Sequence, residues 1–169
     1  MKNYLSLIDT NASGNRYDVT PIFSSHDDFN ALVNDLVAQI PKSEVDIVAC
    51  IDAIGFILGT AISQKLNVGI LPIRKGRKLP VKTDKIEFQD YTGKVKQLEI
   101  RQDILSEGMR VLIVDDWIET GAQVAASIKL IENQGANVVG IVSIAMDDNE
   151  KTRQIKSNYK VITAWENGV

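Results

Sequence analysis

The sequence lacks the features that mark secreted, membrane-spanning or nucleic-acid-binding proteins. It has one cysteine, Cys50, so no disulfide can form within the chain, which is typical of a reducing compartment. The longest nearly apolar run, 138–146, is too short to cross a bilayer, and the opening residues MKNYLSLIDT contain no apolar stretch of the signal-peptide kind. The net charge of −3 gives no general attraction for nucleic acid. We therefore expect a cytoplasmic protein that binds neither membranes nor nucleic acids.

Several nucleotide-binding motifs are also missing. There is no P-loop lysine motif, and no Gly-x-Gly-x-x-Gly follows a predicted strand, which argues against a nucleotide triphosphatase and a dinucleotide-binding enzyme. The letters VLIVDD at 111–116 also occur in phosphorylation receiver domains, but too few residues follow Asp115 to complete that fold. The chain shows no repeat, linker or low-complexity tract, and 169 residues predict a single domain, 1–169.

Apolar runs alternate with amphipathic segments along the chain. The runs predict buried strands at 45–51, 68–73, 110–115 and 138–146. Between them, helical spacing predicts helices at about 26–40, 55–66 and 122–133, the first with Ser25 as its N-cap. A short helix at 149–156 and an edge strand at 160–163 complete the pattern. Alternating strands and helices predict an α/β fold with a doubly wound, mostly parallel sheet.

The remaining segments give weaker signals. Residues 4–8 predict a short strand, and 16–23 predict extended chain because Pro21 disfavours helix at Thr20. The polar, lysine-rich stretch 74–96 predicts a long mobile excursion, with a β-hairpin as the alternative and a short strand at 98–100 after it. Loops of that length are usually functional or disordered.

The segment VLIVDDWIETGAQ, 111–123, carries the clearest functional signal. It reads as a buried strand, an acidic turn at Asp115 and Asp116, and a helix N-terminus after Thr120-Gly121. Acidic residues often end strands simply because the sheet edge is solvated. Here two adjacent carboxylates beside a helix entry would repel each other unless a cation or hydroxyl donors occupy the site. Because helix N-termini also attract phosphate, the pattern predicts a site for a phosphorylated sugar.

This segment resembles the phosphoribosyl pyrophosphate signature of the type I phosphoribosyltransferases. The resemblance covers nearly the whole chain, and flanking segments look most like the adenine branch of that family: IDAIGFILGTAISQKL, IRKGRKLP and GKVKQLEIRQDILSEGMRVLIVDD. It implies a type I phosphoribosyltransferase fold with a small N-terminal hood, roughly 1–25, and a flexible loop, roughly 74–97.

The resemblance also assigns roles to the signature loop. It implies that Asp115 and Asp116 face the ribose hydroxyls, stabilise positive charge on the sugar and hold Mg²⁺ directly or through water. The remaining residues of the loop would bind the substrate and its 5′-phosphate: Trp117, Ile118, Glu119, Thr120, Gly121, Ala122 and Gln123. Glu119 and Gln123 depart from the family pattern, which has a small residue and a hydroxyl residue there. Trp117 either flanks the ribose or packs beneath the loop.

A second turn, at Asp52 and Ala53, would bind pyrophosphate through backbone amides, often with a non-proline cis peptide in this family. The family's arginine in that turn is Ile54 in this chain, so one charge-assisted contact is lost. The basic cluster 74–78 follows the next strand, and the resemblance implies that Lys75 reaches the pyrophosphate, with Lys78 as a further substrate contact.

The purine would lie between the loop and the hood. Asp90-Tyr91 is the nearest match to an acid–tyrosine pair beside the leaving base, so Asp90 is the candidate for moving a proton on the purine. Tyr17 stands where the family has an arginine in the segment Arg16-Tyr17-Asp18, and it either stacks on the base or packs. His26 is expected only to begin a helix.

Together these features predict transfer of a 5-phosphoribosyl group from phosphoribosyl pyrophosphate to a purine, adenine above all, in a Mg²⁺-dependent homodimer. The alternative is a regulator that binds phosphoribosyl pyrophosphate with little or no catalysis, favoured by the departures at Tyr17, Ile54, Glu119 and Gln123.

Overall fold

A computed structural model describes residues 3–11, 17–90 and 92–165 of the chain. Its main sheet has seven strands, in the order β3-β4-β2-β1-β5-β7-β9. In chain order these strands are β1 Ile47–Ile51, β2 Gly69–Lys75, β3 Thr83–Gln89, β4 Val95–Arg101, β5 Arg110–Val114, β7 Asn137–Ser143 and β9 Val161–Thr163. A two-stranded sheet pairs β6, Trp117–Ile118, with β8, Ala145–Met146.

Five α-helices accompany the sheets within the described residues: α1 Thr20–Ser24, α2 His26–Val37, α3 Gly55–Leu66, α4 Ala122–Asn133 and α5 Glu150–Asn158. Short 3₁₀ helices occupy Asn3–Leu7 and Lys42–Glu44. No helix in the part of the chain described is long and apolar enough to span a membrane.

The parallel core of the sheet sets the position of the functional edge. Strands β2, β1, β5, β7 and β9 run parallel, with Ile51 opposite Ile73 and Cys50 opposite Val114. Asp52 and Asp115 follow the ends of β1 and β5, and Arg74 lies near the end of β2, so all three are at the same edge of the sheet. In open α/β sheets this carboxyl edge is where ligands bind. The predicted doubly wound, mostly parallel sheet is confirmed.

Each face of the sheet buries its own apolar cluster. On β1, Val48 and Cys50 belong to the cluster under α2, α3 and the N-terminal segment, while Ala49 and Ile51 belong to the cluster under α4 and the β3–β4 hairpin. This alternation follows from the period of two along a strand, and it explains why β1 reads as a continuous apolar run.

Two predictions for the N-terminal region are wrong. Residues 4–8 do not form a strand; Asn3–Leu7 is a 3₁₀ helix in which the buried Tyr4 donates a hydrogen bond to Asp35 Oδ2 at 2.9 Å. Thr20 is helical rather than extended, because Pro21 lies in the first turn of α1, where a backbone N–H would have no helical partner. The Ser25 N-cap of α2 is confirmed, since its side chain accepts from the Asp28 N–H.

The stretch 74–96 is not a loose excursion. Strand β2 continues to Lys75, and β3 and β4 form the antiparallel hairpin that extends the main sheet, so the hairpin alternative is confirmed. The predicted short strand at 98–100 is the buried part of β4. Gln134, at the end of α4, fixes the hairpin base: its Nε2 donates to Asp84 Oδ2 at 2.7 Å and to the Arg101 carbonyl at 3.0 Å.

Candidate active site

The acidic pair lies at the end of β5 beside an open cavity. Asp115 and Asp116 are each only 5% exposed, so neither is turned out to bulk solvent. The Asp116 backbone N–H donates to Asp115 Oδ1 at 3.0 Å, and the Asp116 carbonyl accepts from the Ile144 N–H at 2.9 Å. The cavity encloses about 450 Å³ including its open mouth, and its lining residues are Phe88, Asp90, Asp115, Trp117, Ile118, Glu119, Thr120, Gly121, Gln123 and Val124. Eight of the residues expected at the site therefore line one cavity, and Asp116 is buried and is not among the lining residues.

The N-terminus of α4 also lines this cavity, through Gly121, Gln123 and Val124. Gly121 precedes the helix with φ 73°, a left-handed conformation that disfavours any residue with a Cβ. A Cβ there would also come within 3.0 Å of Ile155 Cδ1. Thr120 Oγ1 accepts from the Ala122 N–H at 3.3 Å, which shapes the turn. The positive end of a 12-residue helix thus faces the cavity and suits a phosphate.

Gln123 contributes a polar group that the protein leaves unsatisfied. Its Oε1 is buried and has no hydrogen-bond partner among the described residues. An unpaired buried acceptor costs about 1–3 kcal/mol, so its position on the cavity wall indicates a polar ligand. The amide also carries two N–H donors, which rotation about the last side-chain bond can present to an anion.

Segment 147–152 is hydrogen-bonded to the signature loop and supports it. Trp117 is only 6% exposed, and its indole N–H donates to Asp147 Oδ1 at 2.8 Å. Asn149 Nδ2 donates to the Glu119 carbonyl at 2.8 Å, while its Oδ1 accepts from the Thr152 N–H at 3.1 Å as the N-cap of α5. Trp117 therefore packs beneath the loop as well as lining the cavity, and Asn149 links the loop to α5.

Tyr17 packs in an aromatic cluster and is not among the cavity-lining residues. Its ring stacks on Trp165 with centroids 5.8 Å apart and meets Trp117 edge-to-face at 5.5 Å. Tyr17 therefore packs against Trp117 and Trp165, and its place beside the purine stays a prediction. Arg16 lies outside the described residues.

The turn predicted to bind pyrophosphate follows β1 and contacts β5, the strand that ends at the acidic pair. The Asp52–Ala53 peptide is cis, as the family resemblance implied. Gly55, two residues further on, approaches β5 so closely that a Cβ would lie 3.0 Å from the Val114 carbonyl oxygen and 3.1 Å from Asp115 Oδ1. The two predicted substrate turns are thus in direct contact.

Two cations cover this turn. Asp52 is buried, and its Oδ2 accepts from Arg74 Nε at 3.1 Å and from Lys78 Nζ at 3.4 Å. Burial raises the pKa of Asp52, but the hydrogen bond from Arg74 and the charge of Lys78 outweigh it and hold the pKa below its usual value. The Lys75 side chain is exposed, and its backbone N–H donates to Asp52. None of these residues lines the cavity beside Asp115, so the cationic group covers a separate part of the site.

Asp90 lies at the tip of the β3–β4 hairpin and on the cavity wall. Its Oδ1 accepts from the Thr92 N–H at 2.8 Å, the Thr92 hydroxyl at 2.6 Å and the Lys94 N–H at 3.1 Å. The Thr92 hydroxyl is the main cause that lowers the Asp90 pKa. The Asp90 carboxylate is therefore held in its ionised form, in which it accepts hydrogen bonds, and the lowered pKa makes it a weaker base than a free carboxylate. Its neighbour Tyr91 lies outside the described residues.

The sequence reasoning missed three residues: Phe88 and Val124, which line the cavity, and the buried Glu99. Phe88 lines the cavity, and the alternation of Ile86 and Phe88 along β3 was the available signal. Glu99 is 1% exposed and lies between the apolar residues Leu98 and Ile100 of β4. A lone carboxylate inside an apolar strand signals a buried charge with specific partners.

The acidic pair fits Mg²⁺ by its donor chemistry. No cluster of three or more acidic, histidine or cysteine side chains that could hold a metal occurs among residues 3–11, 17–90 and 92–165. Mg²⁺ commonly binds through one or two carboxylates and completes its shell with substrate phosphates and water. Asp115 and Asp116 are such a pair, with Asp115 at the cavity wall.

Comparisons with known proteins agree with this geometry. The family profile described as "Phosphoribosyl transferase domain" matches residues 23–169. The adenine phosphoribosyltransferase of Bordetella avium is 42% identical over 127 residues, which cover 75% of this chain and 69% of that protein. The enzyme of that name from Neisseria meningitidis serogroup B is 41% identical over 128 residues, covering 76% of this chain and 68% of the relative.

Solved structures show the same fold. The adenine phosphoribosyltransferase of Thermoanaerobacter pseudethanolicus is 30% identical with a TM-score of 0.87, over 95% of this chain and 96% of the other. The Saccharomyces cerevisiae adenine phosphoribosyltransferase, complexed with adenine and an imino-altritol bisphosphate, is 25% identical with a TM-score of 0.82, over 96% and 97%. These matches confirm the resemblance and the fold class predicted from sequence: the chain belongs to the phosphoribosyl transferase family.

Proposed function

We propose that this phosphoribosyltransferase transfers the 5-phosphoribosyl group of phosphoribosyl pyrophosphate to adenine, giving adenosine monophosphate and pyrophosphate. In this reaction the bond from the anomeric carbon to the pyrophosphate oxygen breaks, and a bond to a purine nitrogen forms as that nitrogen loses its proton. The observation that carries the proposal is the meeting of three elements at one sheet edge: the buried Asp115, the α4 N-terminus and the turn at Asp52. Relatives named adenine phosphoribosyltransferase support adenine as the base.

The two ends of phosphoribosyl pyrophosphate are assigned to different turns of the protein. The α4 N-terminus, residues 120–123, binds the 5′-phosphate through its amides and the Gln123 side chain. The turn at Asp52 and Ala53 binds the pyrophosphate through its backbone, with positive charge from Arg74 and Lys78 close by. This positive charge matters because Ile54, which stands where the family has an arginine, provides none.

Asp115 acts on the sugar between these two ends. Its carboxylate accepts hydrogen bonds from the ribose hydroxyls and stabilises the positive charge that develops on the ring as the pyrophosphate departs. Bound through Asp115 and Asp116, directly or through water, Mg²⁺ would neutralise charge on the pyrophosphate. Asp90 is the group that we assign to the purine proton, because its carboxylate lines the same cavity.

The assembly and the location are part of the same proposal. A homodimer is proposed by analogy with the family, and a cytoplasmic location from the single buried thiol of Cys50.

Turnover with a panel of bases tests the reaction. Pyrophosphate release is measured with phosphoribosyl pyrophosphate, Mg²⁺ and, in turn, adenine, guanine, hypoxanthine, xanthine or orotate. We expect release with adenine well above the other bases. Release with another base alone would refute the assignment of adenine and leave the reaction class intact.

A second candidate function is a sensor that binds phosphoribosyl pyrophosphate with little catalysis. The neutral Ile54 in the pyrophosphate turn and the Gln123 that replaces a hydroxyl residue favour it. Titration calorimetry separates the two functions: a sensor binds the donor tightly and releases no pyrophosphate with any base in the panel.

A further inference from the structure

We propose that Glu99 is a positioning residue for the pyrophosphate half of the site, because its buried carboxylate holds the turn 76–79 that carries Lys78 to Asp52. The inference rests on the proposed function, and it concerns a residue that does not line the cavity. Glu99 would act through the shape of this turn and not by touching the substrate.

The side-chain hydrogen bonds of Glu99 join it to residues 77–83, which follow β2. Its Oε1 accepts from the backbone N–H groups of Lys78 at 2.7 Å and Leu79 at 3.0 Å, and its Oε2 accepts from the Thr83 hydroxyl at 3.4 Å. The Arg77 backbone N–H also faces this carboxylate. Consecutive backbone N–H groups directed at one anion form a nest, so the carboxylate holds the backbone itself in place.

The turn needs such support because its backbone is unusual. Arg77 has φ 65°, a left-handed conformation that is uncommon for a residue with a Cβ. Gly76 is held on the other side: its N–H donates to the Gln97 carbonyl at 2.8 Å, and a Cβ there would lie 2.6 Å from Gln97 Oε1. Glu99 and Gln97 on β4 thus hold the turn at both ends.

The turn 76–79 also carries Lys78, whose positive charge lies at the proposed pyrophosphate site. The Lys78 backbone is bound to Glu99, while its Nζ lies 3.4 Å from Asp52 Oδ2 at the pyrophosphate turn. One residue therefore connects the buried carboxylate with the proposed binding site. A shift of the turn would move Lys78, and with it one of the two cations that cover Asp52.

A carboxylate is a costly choice for a position that is 1% exposed. Glu99 remains ionised because the N–H groups of Lys78, Leu79 and Arg77 outweigh the effect of burial on its pKa. Hydrogen bonds to a charged acceptor are roughly twice as strong as those between neutral groups. An amide oxygen could accept the two backbone bonds that Oε1 accepts, but its NH2 group could not accept from the Thr83 hydroxyl, so the carboxylate adds charge and one further acceptor.

The test compares ligands that occupy different halves of the site. Glu99→Gln keeps the size of the side chain and an acceptor, whereas Glu99→Ala leaves the turn's N–H groups without one. Glu87→Ala, at an exposed position on the neighbouring β3, is the matched control. Calorimetry measures the Kd of pyrophosphate with Mg²⁺ and of adenosine monophosphate, which shares the 5′-phosphate site but lacks the pyrophosphate. Thermal melting checks that each variant folds. Amide exchange at 76–79 and 117–123 shows which segment the substitution disturbs.

We expect Glu99→Ala to weaken pyrophosphate binding roughly 10-fold or more, with a smaller loss in Glu99→Gln, because unpaired buried donors are costly. The Kd of adenosine monophosphate should stay within about 2-fold, and amide exchange should quicken at 76–79 only. Kinetically, KM for phosphoribosyl pyrophosphate should rise more than kcat falls.

Equal losses for both ligands would overturn the inference, since they indicate general destabilisation. Unchanged pyrophosphate affinity in Glu99→Gln and Glu99→Ala would also overturn it. If Glu99→Ala does not fold, the same two criteria are applied to Glu99→Gln. A wild-type protein that binds neither pyrophosphate nor phosphoribosyl pyrophosphate would instead refute the proposed function, and this result is seen before any variant is made.

Discussion

The contact at Gly55 between the two predicted substrate turns can be tested by adding one methyl group. In Gly55→Ala the new Cβ would lie 3.0 Å from the Val114 carbonyl oxygen, 3.1 Å from Asp115 Oδ1 and 3.2 Å from Asp115 Cα. Two of these three atoms belong to the backbone of β5 and its end, and they cannot rotate away. Either α3 or the Asp115 turn must therefore move by a few tenths of an ångström.

The size of the effect follows from these distances. Overpacking of this kind costs about 1–3 kcal/mol. The better helix propensity of alanine offsets at most about 1 kcal/mol, because Gly55 is the first residue of α3. A net loss of about 1–2 kcal/mol corresponds to a Tm lower by roughly 2–8 °C in a chain of this size. Displacement of Asp115 should also lower kcat/KM by about 3- to 10-fold, since catalysis is sensitive to small misplacements.

Gly69→Ala is the matched control for this experiment. Gly69 begins β2, and a Cβ there would meet only the Ile47 side chain, at 3.8 Å, an ordinary van der Waals contact. Differential scanning fluorimetry and steady-state pyrophosphate release are measured on both variants. The reasoning is refuted if Gly55→Ala matches Gly69→Ala in both Tm and kcat/KM.

Three further predictions concern stability and the signature loop. Gly59→Ala should be strongly destabilising, because its Cβ would collide with the Cys50 Sγ; adding Cys50→Ala should restore much of the lost Tm, and a double variant no more stable than Gly59→Ala would contradict this. Asn149→Ala should cost about 1 kcal/mol as a lost N-cap and weaken adenosine monophosphate binding, whereas Asn149→Asp should keep the cap and lose only the binding; calorimetry that finds both variants unchanged in affinity would refute the bracing role. Asp46, whose pKa is lowered to about 2 chiefly by hydrogen bonds from Arg110, stabilises the fold in its ionised form, so Asp46→Asn should lower Tm near pH 7. That difference should shrink as the pH falls from about 4 to about 2, because the unfolded carboxyl has the higher pKa, and a difference independent of pH would contradict this assignment.

Local patterns were sufficient for the elements that build the sheet. Strand β5 is a run of β-branched and aliphatic residues, and α3 and α4 have helical spacing, so all three were predicted within a residue or two. The prediction failed for Thr20, where the rule for a residue before proline was applied to what is the first turn of a helix. The prediction was also incomplete at 74–96. Strand β3 is a strand because it pairs with β4, and the alternation of residues along one segment does not show which segment it pairs with.

The candidate site shows the same division. The signature loop is a continuous segment, so its residues could be identified from the sequence motif alone. Eight of the residues expected at the site line the cavity. The contacts that position them join distant segments: Asp52 with Arg74 and Lys78, and Asn149 with the Glu119 carbonyl. Single-sequence reasoning named most of these residues or their segments but could not pair them, because nothing in one sequence records which side chains meet across the sheet edge.

Conversion of labelled adenine is the most direct test of the account. Wild-type protein, Asp115→Asn and the control Asp103→Asn are incubated with phosphoribosyl pyrophosphate, Mg²⁺ and labelled adenine, and adenosine monophosphate is quantified by chromatography. Asp103 is an exposed turn residue with φ 58°, a conformation that asparagine tolerates equally well. The account predicts product from wild type and Asp103→Asn, and a loss of roughly 10²–10³-fold in Asp115→Asn. No product from the wild type, or equal rates in all three proteins, would contradict it.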